Sequence, residues 1–327
     1  MSASLAERAR SGDRRALARL LTEVENRTTA GEQALRALYP LAGRAHLVGV
    51  TGAPGSGKST LVAALTGKAR AAGRAVAVIA IDPSSPITGG AILGDRVRMQ
   101  IHATDSDVFI RSMASRGHAG GLAASTVAAA AVMDAAGFGL IFIETVGTGQ
   151  SEVEVAAIAD TTVVVQAPDM GDEVQAIKAG LLEVADIVVV NKSDRPGADR
   201  AAAQLRAMLT VGAHSDRAAG DRPRPKRPEV LLASALTGAG VPELLGALDR
   251  REAVRRAAGA DGGDAALKRA EAQISGILAQ RVAAQLREPA RAAQRATTLA
   301  AVAAHEIDPF SAADRLLELL RADRAED

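Results

Sequence analysis

Gly52-Ala53-Pro54-Gly55-Ser56-Gly57-Lys58-Ser59-Thr60 is the stretch that decides the reading of this chain. An apolar run, His46–Val50 (HLVGV), leads into it, and a helical stretch from Lys58 to Ala72 leads out. The glycines let the backbone turn tightly and aim its N–H groups inward. Lys58 sets a positive charge beside them, and Ser59 offers a hydroxyl in the first helical turn. The helix contributes the positive end of its dipole at the same point. A strand, a cradle of N–H groups, a lysine and a helix start, in that order, suit the phosphates of a nucleotide.

The sequence on either side repeats the alternation. Short β-branched runs at Ala75–Ile81, Asp107–Arg111, Gly139–Glu144, Thr161–Ala167, Asp186–Asn191 and Glu229–Ser234 read as strands. Helix-length stretches lie between most of them, including Gly121–Ala135, Glu173–Val184 and Ala198–Leu209. Near-continuous apolar strands alternating with helices predict an α/β fold with a mostly parallel central sheet covered on both faces. Leu5–Val24 and Gln33–Leu41 show helical spacing before this region. Ala-rich helices over about Ala265–Arg287, Ala290–Ala304 and Ser311–Leu320 are expected after it. The expected division is a helical extension over 1–44, a nucleotide-binding domain over 45–255 and a helical arm over 256–327.

Asn191-Lys192-Ser193-Asp194 closes the strand DIVVVN and points to guanine. A carboxylate here accepts two hydrogen bonds, from the ring N–H and the exocyclic amine of guanine. Adenine would turn a lone pair toward it, and a buried polar group left unpaired costs about 1–3 kcal/mol. Asn191 braces the loop, and the stem of Lys192 lies along the base. Ser234-Ala235-Leu236 follows the last strand, where a backbone N–H can reach the guanine oxygen. The expected ligands are therefore GTP and GDP.

Three acids sit where strand ends of a parallel sheet converge beside the phosphate loop: Asp82 in IDPSS, Asp95 in GDRVRM and Glu144 in ETVGTGQ. Mg²⁺ prefers oxygen ligands and keeps several waters, so one or two of these acids join Ser59 in holding it, directly or through water. Capping of turns is the other role open to each. Gly147, three residues after Glu144, is placed to sense the γ-phosphate through its N–H. Gln150 is a candidate for orienting the attacking water, with a structural or interface role as the alternative because its spacing from the glycine differs from the usual GTPase arrangement. Asp172 and Lys178 lie in PDMGDEVQAIKAG, a loop entering a helix, where capping and a solvated lysine are the alternatives.

Composition narrows the class further. The 327 residues carry a formal net charge of +1, which makes no case for a nucleic-acid binder. Apolar residues are 48% but aromatics 2%, so Ala, Val, Leu and Ile must build the core. With no cysteine there is neither a disulfide nor a thiolate metal site. The charged N-terminus lacks the apolar centre of a signal peptide, and no apolar run approaches the ~20 residues of a membrane span. A cytoplasmic protein is expected. The basic run Arg217–Arg227, interleaved with Pro and Gly, reads as a solvated loop, with a partner-binding patch as the alternative.

GVTGAPGSGKSTL, AIDPSSPITGGAILGDRVRM, FIETVGTGQSE, GDEVQAIKAGLLEVADIVVVNKSD and DPFSAADRLL together resemble the methylmalonyl-CoA mutase-associated GTPase family of the MeaB, ArgK and MMAA type. The resemblance implies a P-loop NTPase fold of the SIMIBI type and a homodimer formed through C-terminal helices. It implies a GTPase, slow alone and stimulated by its partner, that gates cofactor loading and protects or reactivates an adenosylcobalamin-dependent acyl-CoA mutase. It assigns phosphate and Mg²⁺ roles to Lys58, Ser59, Asp82, Asp95 and Glu144, and guanine to Asn191, Lys192 and Asp194. Asp172 and Lys178 match a switch that relays nucleotide state to the mutase. The arm LKRAEAQISGIL has no tryptophan where many members carry one, and the loop Ala213–Pro228 lacks an aromatic often seen there. Other readings are a transport-linked kinase, a nickel metallochaperone GTPase and a scaffold that binds GTP without hydrolysing it. The absence of cysteine and the scatter of His46, His102, His118, His214 and His305 weigh against nickel.

Overall fold

The computed structural model describes residues 4–82, 102, 104–114, 121–145, 151–168, 181–215, 228–257 and 263–322. Contacts divide the chain into two units, Met1–Ala270 and Glu271–Asp327.

The first unit is built on a seven-stranded sheet in the order β3-β2-β4-β1-β5-β6-β7, with every pairing parallel. The strands are β1 (His46–Thr51), β2 (Val76–Asp82), β3 (Val108–Ala114), β4 (Leu140–Glu144), β5 (Thr161–Gln166), β6 (Ile187–Val190) and β7 (Glu229–Leu232). Each coincides with a run expected from the sequence, with ends that agree or differ by at most three positions. Side chains alternate between the faces with a period of two. Val48, Val50, Val163, Val165, Ile187 and Val189 pack against α4 (Lys58–Ala71) and, further along the chain, the helix Val241–Ala257. Ile141, Ile143, Val164, Val188 and Val190 face the other way.

That second face receives the N-terminal helices α1 (Leu5–Arg10), α2 (Arg14–Glu25) and α3 (Thr29–Leu38), with α5 (Gly121–Ala135) and α6 (Ser151–Ile158). The spacing predicts one helix over Leu5–Val24, but two form. Gly12 takes a left-handed φ of +91°, and Asp13 then caps α2 by accepting from the N–H groups of Arg15 and Ala16. Leu17, Leu20 and Leu21 of α2 are buried among sheet residues, each contributing about 1.5–3 kcal/mol of burial. Glu25 at its end pairs with Arg111 of β3. Likewise α3 starts before the expected Gln33, because the Thr28 hydroxyl accepts from the Gly31 N–H. One turn of 3-10 helix, Tyr39–Leu41, follows.

Helix α6 is absent from the helices named from sequence, and Gly49 explains how it fits. A Cβ there would lie 2.6 Å from a methyl of Val155, so the glycine lets α6 rest on the centre of β1. The remaining described helices are α7 (Leu181–Val184), α8 (Ala198–Ser215), α9 (Val241–Ala257) and α10 (Gly263–Leu286). Of the helix expected over Glu173–Val184, only α7 falls within the described residues, and the run Arg217–Arg227 lies outside them.

The second unit holds the rest of α10, a 3-10 turn at Pro289–Arg291, α11 (Ala292–Ala303) and α12 (Pro309–Ala322). Asp308 caps α12, accepting from the N–H groups of Phe310 and Ser311. Large apolar side chains stand exposed here, among them Ile274, Leu278, Leu299 and Phe310, the last 85% accessible. Among the described residues, no helix is long and apolar enough to cross a membrane.

Candidate nucleotide-binding site

The carboxyl ends of β1, β4, β5 and β6 form one edge of the sheet, and the phosphate loop rises from β1 at its middle. Gly52 is held at φ +136° so close to β5 that a Cβ would lie 2.1 Å from the Val165 carbonyl oxygen. Any side chain would push the loop off the sheet. Gly57, at φ +91°, is the N-cap of α4 and supplies no side-chain cap. No side chain from Gly57 covers the start of α4, and the N-terminal end of a helix is the end that favours anions. Lys58 is buried, and its ammonium donates to the carbonyls of Gly52 (2.8 Å) and Ala53 (3.0 Å), which holds the charge inside the cradle. Pro54, Gly55 and Thr60 are exposed on the loop and the first helical turn.

Asn191 ties this loop to the far side of the site. Its Nδ2 donates to the Ser56 carbonyl (2.9 Å) and its Oδ1 accepts from the Ala235 N–H (3.1 Å). Its own N–H donates to the Gln166 carbonyl at the tip of β5 (2.8 Å). Lys192 adopts a left-handed φ of +59° and reaches back to the Gly55 carbonyl (2.8 Å). Two segments more than a hundred residues apart are thus fastened by two adjacent side chains.

Asp194 is held by a side chain whose part in this the sequence does not announce. The Ser234 hydroxyl donates to its Oδ1 (2.5 Å) and accepts from the Thr237 N–H (3.2 Å). This bond is the main reason the carboxyl sits below its ordinary pKa, so the carboxylate is charged and fixed in direction. Sequence suggests this serine only for its backbone. In the structure the Ser234 N–H donates to Ala239 and the Ala235 N–H to Asn191. Leu236, 83% exposed, follows them at the rim. The available signal was a hydroxyl within a segment already expected to reach the base.

Across the phosphate loop, the Ser59 hydroxyl donates to Glu144 Oε1 at 2.5 Å, both side chains being buried. A hydroxyl and a carboxylate oxygen side by side at the end of β4, next to the lysine, are hard oxygen donors that fit Mg²⁺. Thr145, just after Glu144, donates from Oγ1 to Thr51 Oγ1 (3.1 Å), joining the root of the following segment to the root of the phosphate loop. Asp82 ends β2, in register with Ala114, two strands from β1. Asp95, Gly147, Gln150, Asp172 and Lys178 lie outside the described residues.

His46 marks the opposite edge of the sheet. It is fully buried at the start of β1, and its Nε2 lies 2.8 Å from Thr161 Oγ1. Burial pushes its pKa down to about 4, so the ring is neutral, and it takes no part in the site.

Comparison with known proteins places the chain in a family. The family model described as methylmalonyl Co-A mutase-associated GTPase MeaB matches residues 17–293. A Pyrococcus abyssi protein provisionally named a GTPase is 45% identical over 315 residues, 96% of this chain and 95% of that one. The Escherichia coli GTPase ArgK is 42% identical, the match covering 74% of each chain. The mouse methylmalonic aciduria type A homolog is 37% identical over 60% of this chain and 46% of its own length. Among solved structures, that of an LAO/AO transport system kinase has a TM-score of 0.67 at 29% identity, covering 97% of this chain and 96% of that one.

Proposed function

This chain belongs to the methylmalonyl Co-A mutase-associated GTPase MeaB family, and we propose from that premise that it is a chaperone for an adenosylcobalamin-dependent acyl-CoA mutase. It is a GTPase. In the proposed role it gates loading of the mutase's cofactor and protects or reactivates the enzyme, using GTP hydrolysis to change state. The observation that carries the nucleotide half is the Asn191 brace, which joins the phosphate loop to the segment holding Asp194. The mutase half is supported by the family's description and by the mouse relative's name.

The residues divide the work in a simple way. Asp194, aligned by Ser234, selects guanine, while Asn191 and Lys192 set the distance from base to phosphates. Lys58 and the N–H groups at the start of α4 neutralise charge on the phosphate oxygens as the γ-phosphoryl is transferred in line to water. Ser59 and Glu144, with Asp82 and Asp95 as further candidates, would hold Mg²⁺, which when bound offsets charge on the β- and γ-phosphate oxygens. We assign Gly147 and Gln150 to γ-phosphate sensing and water orientation, and Asp172 with Lys178 to relaying nucleotide state to the mutase. Basal turnover is proposed to be slow and to rise with the partner. We also propose a cytoplasmic homodimer formed through a C-terminal arm, a reading supported by the exposed Ile274, Leu278 and Phe310.

The deciding experiment measures GTP and ATP hydrolysis by the protein alone and with such a mutase from the same source. Slow, GTP-selective turnover that accelerates with the mutase supports the chaperone role. GTP selectivity with no effect of the mutase removes this partner. A preference for ATP removes the role of Asp194 and favours the second reading, a transport-linked kinase, which the name of the solved relative suggests.

A further inference from the structure

Ser56 sits in the phosphate loop with 0% of its surface accessible, and its Oγ has no hydrogen-bond partner among the described residues. Its main-chain groups are engaged. The N–H donates to the Ala53 carbonyl at 3.2 Å, and the carbonyl accepts from Asn191 at 2.9 Å. A buried hydroxyl without a partner disfavours the state that buries it. Here that state is the closed cradle, with Lys58 drawn in and Asn191 and Lys192 fastened to Ser56 and Gly55. Lifting the loop far enough to admit water relieves the penalty.

We propose that Ser56 is a positioning residue that shortens the lifetime of bound guanine nucleotide, its enclosed hydroxyl weighting the phosphate loop toward the open state from which nucleotide leaves. This rests on the guanine-nucleotide reading of the site. Ala at this position removes the penalty and leaves every main-chain bond in place. Cys is a second, near-isosteric change, since a thiol is cheaper to enclose than a hydroxyl. Thr66 supplies the control. It is also buried, with a hydroxyl that has no partner among the described residues, but it lies inside α4, away from the loop.

The experiment loads the full chain with a fluorescent GDP analogue and follows its release on dilution into excess GDP, alongside thermal unfolding. Ser56→Ala is expected to slow release about five- to tenfold, the size of one unpaired buried hydroxyl, and Ser56→Cys to slow it in the same direction. Thr66→Ala is expected to change the melting temperature and leave release at the wild-type rate. Release from both Ser56 variants as fast as wild type overturns the proposal, and so does equal slowing by Thr66→Ala, which would mean general stabilisation. Failure of the wild-type protein to bind the GDP analogue at all, seen before any variant is compared, sinks the guanine reading itself and this proposal with it.

Discussion

Gly57 and Asn191 allow a double-mutant test of whether the phosphate loop and the base loop are one mechanical unit. In Gly57→Ala the new methyl would stand 2.4 Å from Asn191 Nδ2, at a φ of +91°. The left-handed backbone alone costs about 1–2 kcal/mol. Displacing the amide also breaks its 2.9 Å bond to the Ser56 carbonyl, for about 1–3 kcal/mol more. Asn191→Ala loses that bond and the one from Ala235, about 2–4 kcal/mol together. In the double variant the methyl has no amide to strike, and the Ser56 bond is not lost twice. The combined loss should therefore fall short of the sum by about 1–3 kcal/mol, a coupling typical of residues in one network. Urea denaturation of the four nucleotide-free proteins gives the cycle, and GDP affinity provides a parallel readout. Losses that add to within about 0.5 kcal/mol would refute the brace, because that is the behaviour of independent sites.

Other consequences are separately measurable. His46 titrates at about 4 in the folded protein against an ordinary value of 6.5, mainly because it is buried. Between those values the unfolded chain binds the extra proton, so stability is complete above pH 6.5 and falls by about 3 kcal/mol as pH drops to 4. His46→Gln should flatten that slope in denaturant titrations across the window, and an unchanged slope would contradict it. Ser234→Ala should return the Asp194 carboxyl toward its ordinary pKa and weaken GDP binding about three- to tenfold, a loss that isothermal titration would detect. Leu20→Ala, at the centre of the α2 contact with the sheet, should lower stability by about 2–5 kcal/mol while a properly folded fraction keeps its GDP affinity. Lys58→Ala should abolish measurable GTP turnover, and retention of wild-type turnover would remove the lysine from the mechanism.

The sheet and the two loops were legible in the sequence because their information is local. Near-continuous apolar runs such as Leu140–Glu144 suit strands buried on both faces of a parallel sheet, and a glycine-rich turn between a strand and a helix has few other uses. Lys58, Ser59, Asn191 and Asp194 stood out in the sequence because their motifs are short and lie at strand ends. Sequence could not decide contacts between segments far apart in the chain. That the Asn191 side chain grips Ser56, that Ser234 aims Asp194, and that Ser59 meets Glu144 depend on strand order. The order sets β1 between β4 and β5, and no residue pattern states it. The break between α1 and α2 was missed because a single left-handed glycine interrupts a periodicity that otherwise continues. The helices expected as an N-terminal extension bury their apolar stripe in the same cluster as the sheet, because leucines spaced for one face take whatever apolar surface the fold brings to them.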